Sequence, residues 1–185
     1  MKNFYSLCLL LFCFTAGCIL LSGCSTYAVD RYSVNADNIT SLRSLNGKTL
    51  NVGSFTSSQT DLKEIMCRGV GPIKTADSET YSEFIRKAFI AELKISNTFS
   101  PNAPVILTGN LNSIDFSSAS GYWDISLTIN SSNGQSLTVA EHYSYTTSFS
   151  GETACNQTAQ AFMPAVQDLV NKVISNHDFQ ALIKL

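Results

Sequence analysis

Three runs of alternating apolar and polar side chains fill the stretch from residue 104 to residue 149. From Pro104 to Phe116 the inward positions are Val105, Leu107, Gly109 and Leu111, after which the parity shifts to Ile114 and Phe116. A strand whose faces exchange in mid-course carries a bulge or bend, predicted here near Asn112-Ser113. From Tyr122 to Asn130, Trp123, Ile125, Leu127 and Ile129 share one face and Tyr122, Asp124, Ser126 and Thr128 the other. Asn133-Gly134 predicts a hairpin turn. The last run, Leu137 to Phe149, alternates through Leu137, Val139, Glu141, Tyr143, Tyr145, Thr147 and Phe149. Period-two patterning with one polar face suits an antiparallel sheet covered on one side. A further strand is predicted over Thr49 to Thr56, with Leu50, Val52, Ser54 and Thr56 in alternation, after the turn signal Asn46-Gly47.

Two segments change to helical period. Thr80-Tyr81-Ser82-Glu83 is a capping box, and apolar residues follow at 81, 84, 85, 88, 89, 93 and 95. This helix is predicted to end near Asn97, ahead of Pro101, with Arg86, Lys87, Glu92 and Lys94 on its solvated side. The last thirty or so residues place Ala159, Phe162, Val166, Leu169, Val170, Val173 and Ile174 on one face. Pro164 predicts a kink there or a helix that starts anew. Leu182 and Ile183 are expected to dock a final turn after His177-Asp178-Phe179. Between Ser57 and Ser78 the pattern is weakest. Leu62, Ile65 and Met66 suit a short helical turn, and Arg68-Gly69-Val70-Gly71-Pro72 a loop. The resulting order, β-α-β-β-β-α, predicts an α+β domain: a single, mostly antiparallel sheet of about four strands with two helices packed on one face.

The amino terminus has a different character. Met1-Lys2-Asn3 is a basic start, Phe4 to Leu21 is nearly all apolar, and small polar residues follow, the layout of a secretory signal. A transmembrane anchor is the alternative, since about 18 apolar residues can just span a bilayer. Leu21-Ser22-Gly23-Cys24 decides for the signal, because this tetrapeptide resembles the lipobox of bacterial lipoproteins. The resemblance implies a diacylglyceryl group on the Cys24 sulfur, cleavage before Cys24 and acylation of the new amino group. Cys18 is a rival, but Thr15 stands where the motif takes a large aliphatic residue, and Cys8 and Cys13 read as small apolar residues of the signal. Expected boundaries are a signal peptide over 1–23, a lipidated tether over 24–47 and a single periplasmic α+β domain over 48–185. Ser25, where sorted lipoproteins can carry Asp, implies delivery to the inner leaflet of the outer membrane, facing the periplasm. Element order together with the lipobox resembles small accessory lipoprotein domains of the YajG-like group, the penicillin-binding-protein activators and the amino-terminal domain of TolB. The run Cys67-Arg68-Gly69, the capped helix, three strands and a late Cys before a helix is similar to a further group of bacterial lipoproteins.

Composition sharpens this. Charged residues make up 14% and the formal net charge is −2, so no nucleic-acid footprint is visible. Ser, Thr and Asn take the place of charge, as is common outside the cytosol. In an oxidising compartment the two remaining cysteines, Cys67 and Cys155, are expected to form a disulfide. The alternatives are a catalytic thiol served by His142 or His177, a metal ligand, or unpaired structural thiols. No CxxC, HxxxH or HExxH spacing points to a metal, and no cofactor is expected. Ser118-Ala119-Ser120-Gly121 lacks the spacing of a nucleophile elbow, and Gly69-Val70-Gly71 is too short for a phosphate loop. Glu141 and His142, adjacent on a strand, point to opposite faces. Trp123 reads as core, His177 as a helix-terminal residue, and the sequons at Asn38, Asn130 and Asn156 as chance matches. Tyr122, Tyr143 and Tyr145 could line a partner surface or pack under a helix. With no catalytic residues identified, the expectation is a non-enzymatic, lipid-anchored accessory or binding protein with a protein partner in the envelope. A carrier of a small apolar or lipid ligand is the second reading, and a thiol or serine envelope hydrolase the third.

Overall fold

A computed structural model describes residues 27–184 apart from positions 46 and 61. The signal, Cys18 and the lipobox with Cys24 lie outside the described residues. In chain order the elements are β1 (Tyr27–Ala28), α1 (Ala36–Arg43), β2 (Asn51–Ser57), β3 (Glu64–Cys67), β4 (Gly71–Lys74) and α2 (Tyr81–Ile95). They continue with β5 (Ile106–Ser117), β6 (Tyr122–Ser131), β7 (Ser136–Ser144), α3 (Gly151–Ile174) and α4 (Phe179–Leu182). The α+β class holds, but the single antiparallel sheet is replaced by two mixed ones. One has the order β2-β5-β6-β7, the other β1-β4-β3. In the first, β2 runs parallel to β5, because α2 returns the chain between them, while β5-β6 and β6-β7 are antiparallel.

Outside β2 and β7 the larger sheet follows its sequence pattern. β7 ends at Ser144, short of the predicted Phe149, and leaves Phe149 exposed where the alternation places it inward. β6 turns Trp123, Ile125, Leu127 and Ile129 inward, each buried, and the parity shift in β5 is a bulge between Leu111 and Ser113. Gly134 takes a positive φ at the tip of the β6–β7 hairpin. In β2 the predicted alternation fails midway. A register shift between Val52 and Phe55 turns Phe55 inward in place of Ser54 and Thr56. The Phe55 ring then lies over Gly109, where an added Cβ would stand 2.5 Å from it. Gly109→Val is expected to destabilise the fold by about 2 kcal/mol through overpacking, read as a lower urea midpoint. An unchanged midpoint would mean that the ring swings aside freely.

Both long helices pack on the inner face. Thr80 caps α2 as predicted, its Oγ1 accepting from the Glu83 amide at 3.2 Å, while the Glu83 carboxylate receives two N–H groups of Arg86 at 2.7 Å each. α3 is one continuous helix that contains Pro164. Its buried face carries Cys155, Ala159, Phe162, Val166, Leu169, Val170 and Val173. Trp123, Tyr81 and Phe162 form the centre of the core, with ring centroids 4.8 to 6.2 Å apart. Leu182 and Ile183 dock as expected.

Two further expectations are corrected. No helical turn forms over Leu62, Ile65 and Met66; residues 64–74 form the β3–β4 hairpin, closed by Val70 N–H donating to the Cys67 carbonyl at 2.9 Å. Arg68 and Gly69, at φ 48° and 67°, take the two left-handed central positions of the turn from Cys67 to Val70, within a connection of three residues between the paired Cys67 and Gly71. The described part of the expected tether is folded onto the body. β1 pairs in parallel with β4, and Val29, Ile39, Leu42 and Leu45 are buried in the core.

Candidate functional site

The outer face of the larger sheet is uncovered by any described helix, and its side chains bond to one another. Thr56 Oγ1 donates to Asn110 Oδ1 at 3.2 Å. Asn110 Nδ2 donates to Ser58 Oγ at 2.6 Å and Asn112 Oδ1 at 2.8 Å. Asn112 Nδ2 reaches Ser126 Oγ at 3.2 Å and Thr128 Oγ1 at 2.9 Å, and Thr128 meets the Thr138 hydroxyl at 2.8 Å. This uncharged ladder crosses all four strands. Its hydroxyl and amide groups are held in fixed positions while staying open to solvent, which suits recognition by hydrogen bonding more than by charge.

Toward one end the ladder gives way to charge. Asp124 lies between Asp115 and His142 in register, and its Oδ1 stands 2.5 Å from His142 Nδ1. The Tyr122 ring lies 5.0 Å from the imidazole. A carboxylate on Nδ1 fixes the ring and leaves Nε2 outward, two-thirds of a hydrolytic triad. Among the described residues no Ser, Thr or Cys side chain is hydrogen-bonded to this imidazole. Glu141 points inward as predicted, 5% exposed, and faces Lys172 at 3.1 Å. Lys172 Nζ also caps the edge of β7 by donating to the Ala140 carbonyl at 3.0 Å.

The other candidates are structural. Cys67 and Cys155 form a disulfide that joins β3 to the first turns of α3, both fully buried. Trp123 is core, its Nε1 donating to the Thr158 carbonyl at 2.9 Å. Tyr145 meets Thr158 Oγ1 at 2.7 Å, and burial pushes its phenol up. Tyr143 and Tyr145 line a shallow groove with Gln157, Gln160 and Pro164 of α3, whereas Tyr122 belongs to the outer sheet face. The groove and the open face therefore do not join into one aromatic patch. His177 lies beyond α3 beside Asp178, at 3.1 Å. Ser118 is buried, its Oγ accepting from Arg68 Nε at 3.0 Å. Asn38 is buried, while Asn130 and Asn156 are exposed. Among the described residues no cluster of three His, Cys, Asp or Glu side chains could hold a metal ion, and no helix is long and apolar enough to cross a membrane.

Glu92, expected on the solvated side of α2, is fully buried. Its Oε1 accepts from Tyr32 Oη at 2.6 Å, the Asn35 amide at 2.9 Å and Asn38 Nδ2 at 3.2 Å. Burial, and then the bond to Glu92, hold the Tyr32 phenol far above its ordinary value. Asn38 continues the network to the Gln167 carbonyl and Asn171 of α3. These bonds fasten residues 32–38 to both long helices. No sequence signal marks them, because each partner stands more than fifty positions from Glu92 or α3.

No family model matches the chain, and neither does any curated protein. Among solved structures it is similar to the crystal structure of protein XCC0632 from Xanthomonas campestris, of family DUF330. The TM-score is 0.48 at 14% identity, over 81% of this chain and 95% of that one.

Proposed function

We propose that this chain is a non-enzymatic accessory lipoprotein of the bacterial envelope. It is anchored through Cys24, faces the periplasm from the outer membrane, and binds an envelope protein through the open, hydroxyl- and amide-lined face of its larger sheet. The lipobox Leu21-Ser22-Gly23-Cys24 carries this reading. The Cys67–Cys155 disulfide supports it, since such bonds persist in oxidising compartments, and the same bond takes both thiols out of consideration as nucleophiles. The carrier reading places a ligand between sheet and helices, a space that the rings of Trp123, Tyr81 and Phe162 fill. The polar ladder favours the protein-binding reading over it.

Intact-mass measurement of membrane-extracted protein tests the anchor. Cys24→Ala is expected to leave an unprocessed precursor about 2 kDa or more above the cleaved polypeptide, from about 110 Da for each signal residue. Cys18→Ala is expected to change nothing. An acylated, cleaved product from the Cys24 variant would end this reading.

A further inference from the structure

The strand register fixes where the described chain begins on the body. β1 enters beside β4 with Tyr27 opposite Ile73, and β4 begins at Gly71, directly after the Arg68-Gly69 turn. Tyr27 therefore starts two residues, or about 7 Å of strand, along β4 from the end that carries this turn. Cys24 is three residue steps upstream, at most about 11 Å of extended chain.

That same end presents the two most exposed large apolar side chains of the described residues. Phe149 is fully exposed and Met66 is 60% exposed. Arg68 positions this tip. Its Nη1 donates to the Phe149 carbonyl at 3.2 Å, and Nε and Nη2 bind Ser118 Oγ and its carbonyl at 3.0 and 2.6 Å. The loop bearing Phe149 is thus tied to the β3–β4 turn and to the β5–β6 turn, while its ring is left in water. An aromatic ring held outward in this way gains by leaving water, and the apolar medium within reach of an acylated Cys24 is the bilayer holding its acyl chains.

We propose that the end formed by the β3–β4 turn and the Phe149 loop is a membrane-contact surface, with Phe149 and Met66 seated in the lipid interface beside the anchor. The proposal rests on the lipid-anchored reading above. Several acyl chains already supply stable attachment, so the role of Phe149 is orientation. It stands the body on this end and directs the β6–β7 hairpin, one ten-residue strand or about 33 Å farther away, toward the periplasm.

The test uses the full-length lipidated protein, reconstituted in phosphatidylethanolamine–phosphatidylglycerol vesicles with or without brominated phosphatidylcholine. Trp123, the one natural tryptophan, is fully buried and gives the background to subtract. Phe149→Trp emission is expected to shift to the blue and to fall at least about twofold with brominated lipid, while Gln135→Trp at the opposite hairpin is unaffected. If the variant floats with the vesicles and is acylated, but the tryptophan at 149 is quenched no more than the one at 135, the orientation proposal fails and the anchored reading stands. Protein that carries no acyl groups and does not float overturns both.

Discussion

Replacing Cys67 and Cys155 together by alanine is expected to lower stability by about 4 kcal/mol. The bond closes a loop with a sequence separation of 88, and the chain-entropy model assigns a loop of that size between about 4 and 5 kcal/mol of denatured-state restriction. For a chain of this length that loss lowers the melting temperature by roughly 10 °C, which differential scanning calorimetry of the oxidised protein and the double variant would record. A shift under about 2 °C would show that the denatured chain gains little freedom when the bond is absent. The two sulfurs are bonded to each other, so alkylating reagents are expected to leave them unmodified, and because both are buried, reductant without denaturant is expected to act slowly. The bond also fixes β3, and with it the Arg68 turn, to the start of α3.

Glu92→Ala is expected to cost about 3 kcal/mol, well beyond what a surface glutamate loses on truncation. Three donors, Tyr32 Oη, the Asn35 amide and Asn38 Nδ2, converge on one buried oxygen, and removing it leaves one buried and two half-buried donors without their acceptor, at about 1 kcal/mol each. Glu92→Gln keeps an acceptor in that place and is expected to lose less than half as much. The effect is local as well as global, since this oxygen fastens residues 32–38 to the body. Trypsin should therefore cut after Arg31 and Arg43 faster in the alanine variant than in the parent, well below its unfolding midpoint. Equal cleavage rates would mean that Val29, Ile39 and Leu42 hold the segment by packing alone.

The sequence made the larger sheet and α2 legible for physical reasons specific to them. In β6 every second residue from Trp123 to Ile129 is large and apolar, so one register alone buries them all. The Thr80 cap and the parity shift at Asn112-Ser113 are local signals with local causes. Phe55 escaped because a register shift beside the parallel partner β5 reverses the faces of β2 in mid-strand, and the glycine that accommodates its ring lies on the other strand. The β3–β4 hairpin escaped because Arg68 takes a left-handed conformation usually left to Asn, Asp or Gly. The packing of the described part of the expected tether escaped because it is fastened by a carboxylate, and a Glu two places before Lys94 on an amphipathic helix looks solvated until its partners are in place. For the candidate site, the opposed faces of Glu141 and His142 and the Cys67–Cys155 bond were readable. The crossing of Asn110, Asn112, Thr128 and Thr138 into one ladder required the pairing of four strands to be known.

The entry of the chain through β1 also determines how the molecule bears load. A pull applied at Tyr27 along the strand meets β4 in shear, because the two run parallel, and the pairing must slide before it can open. Behind β4 stands β3, joined by a tight turn and bolted by the disulfide to α3, so traction at the amino end passes into the longest helix of the described chain through a covalent joint. Under tension the two-residue β1 is expected to part before the disulfide-joined elements behind it.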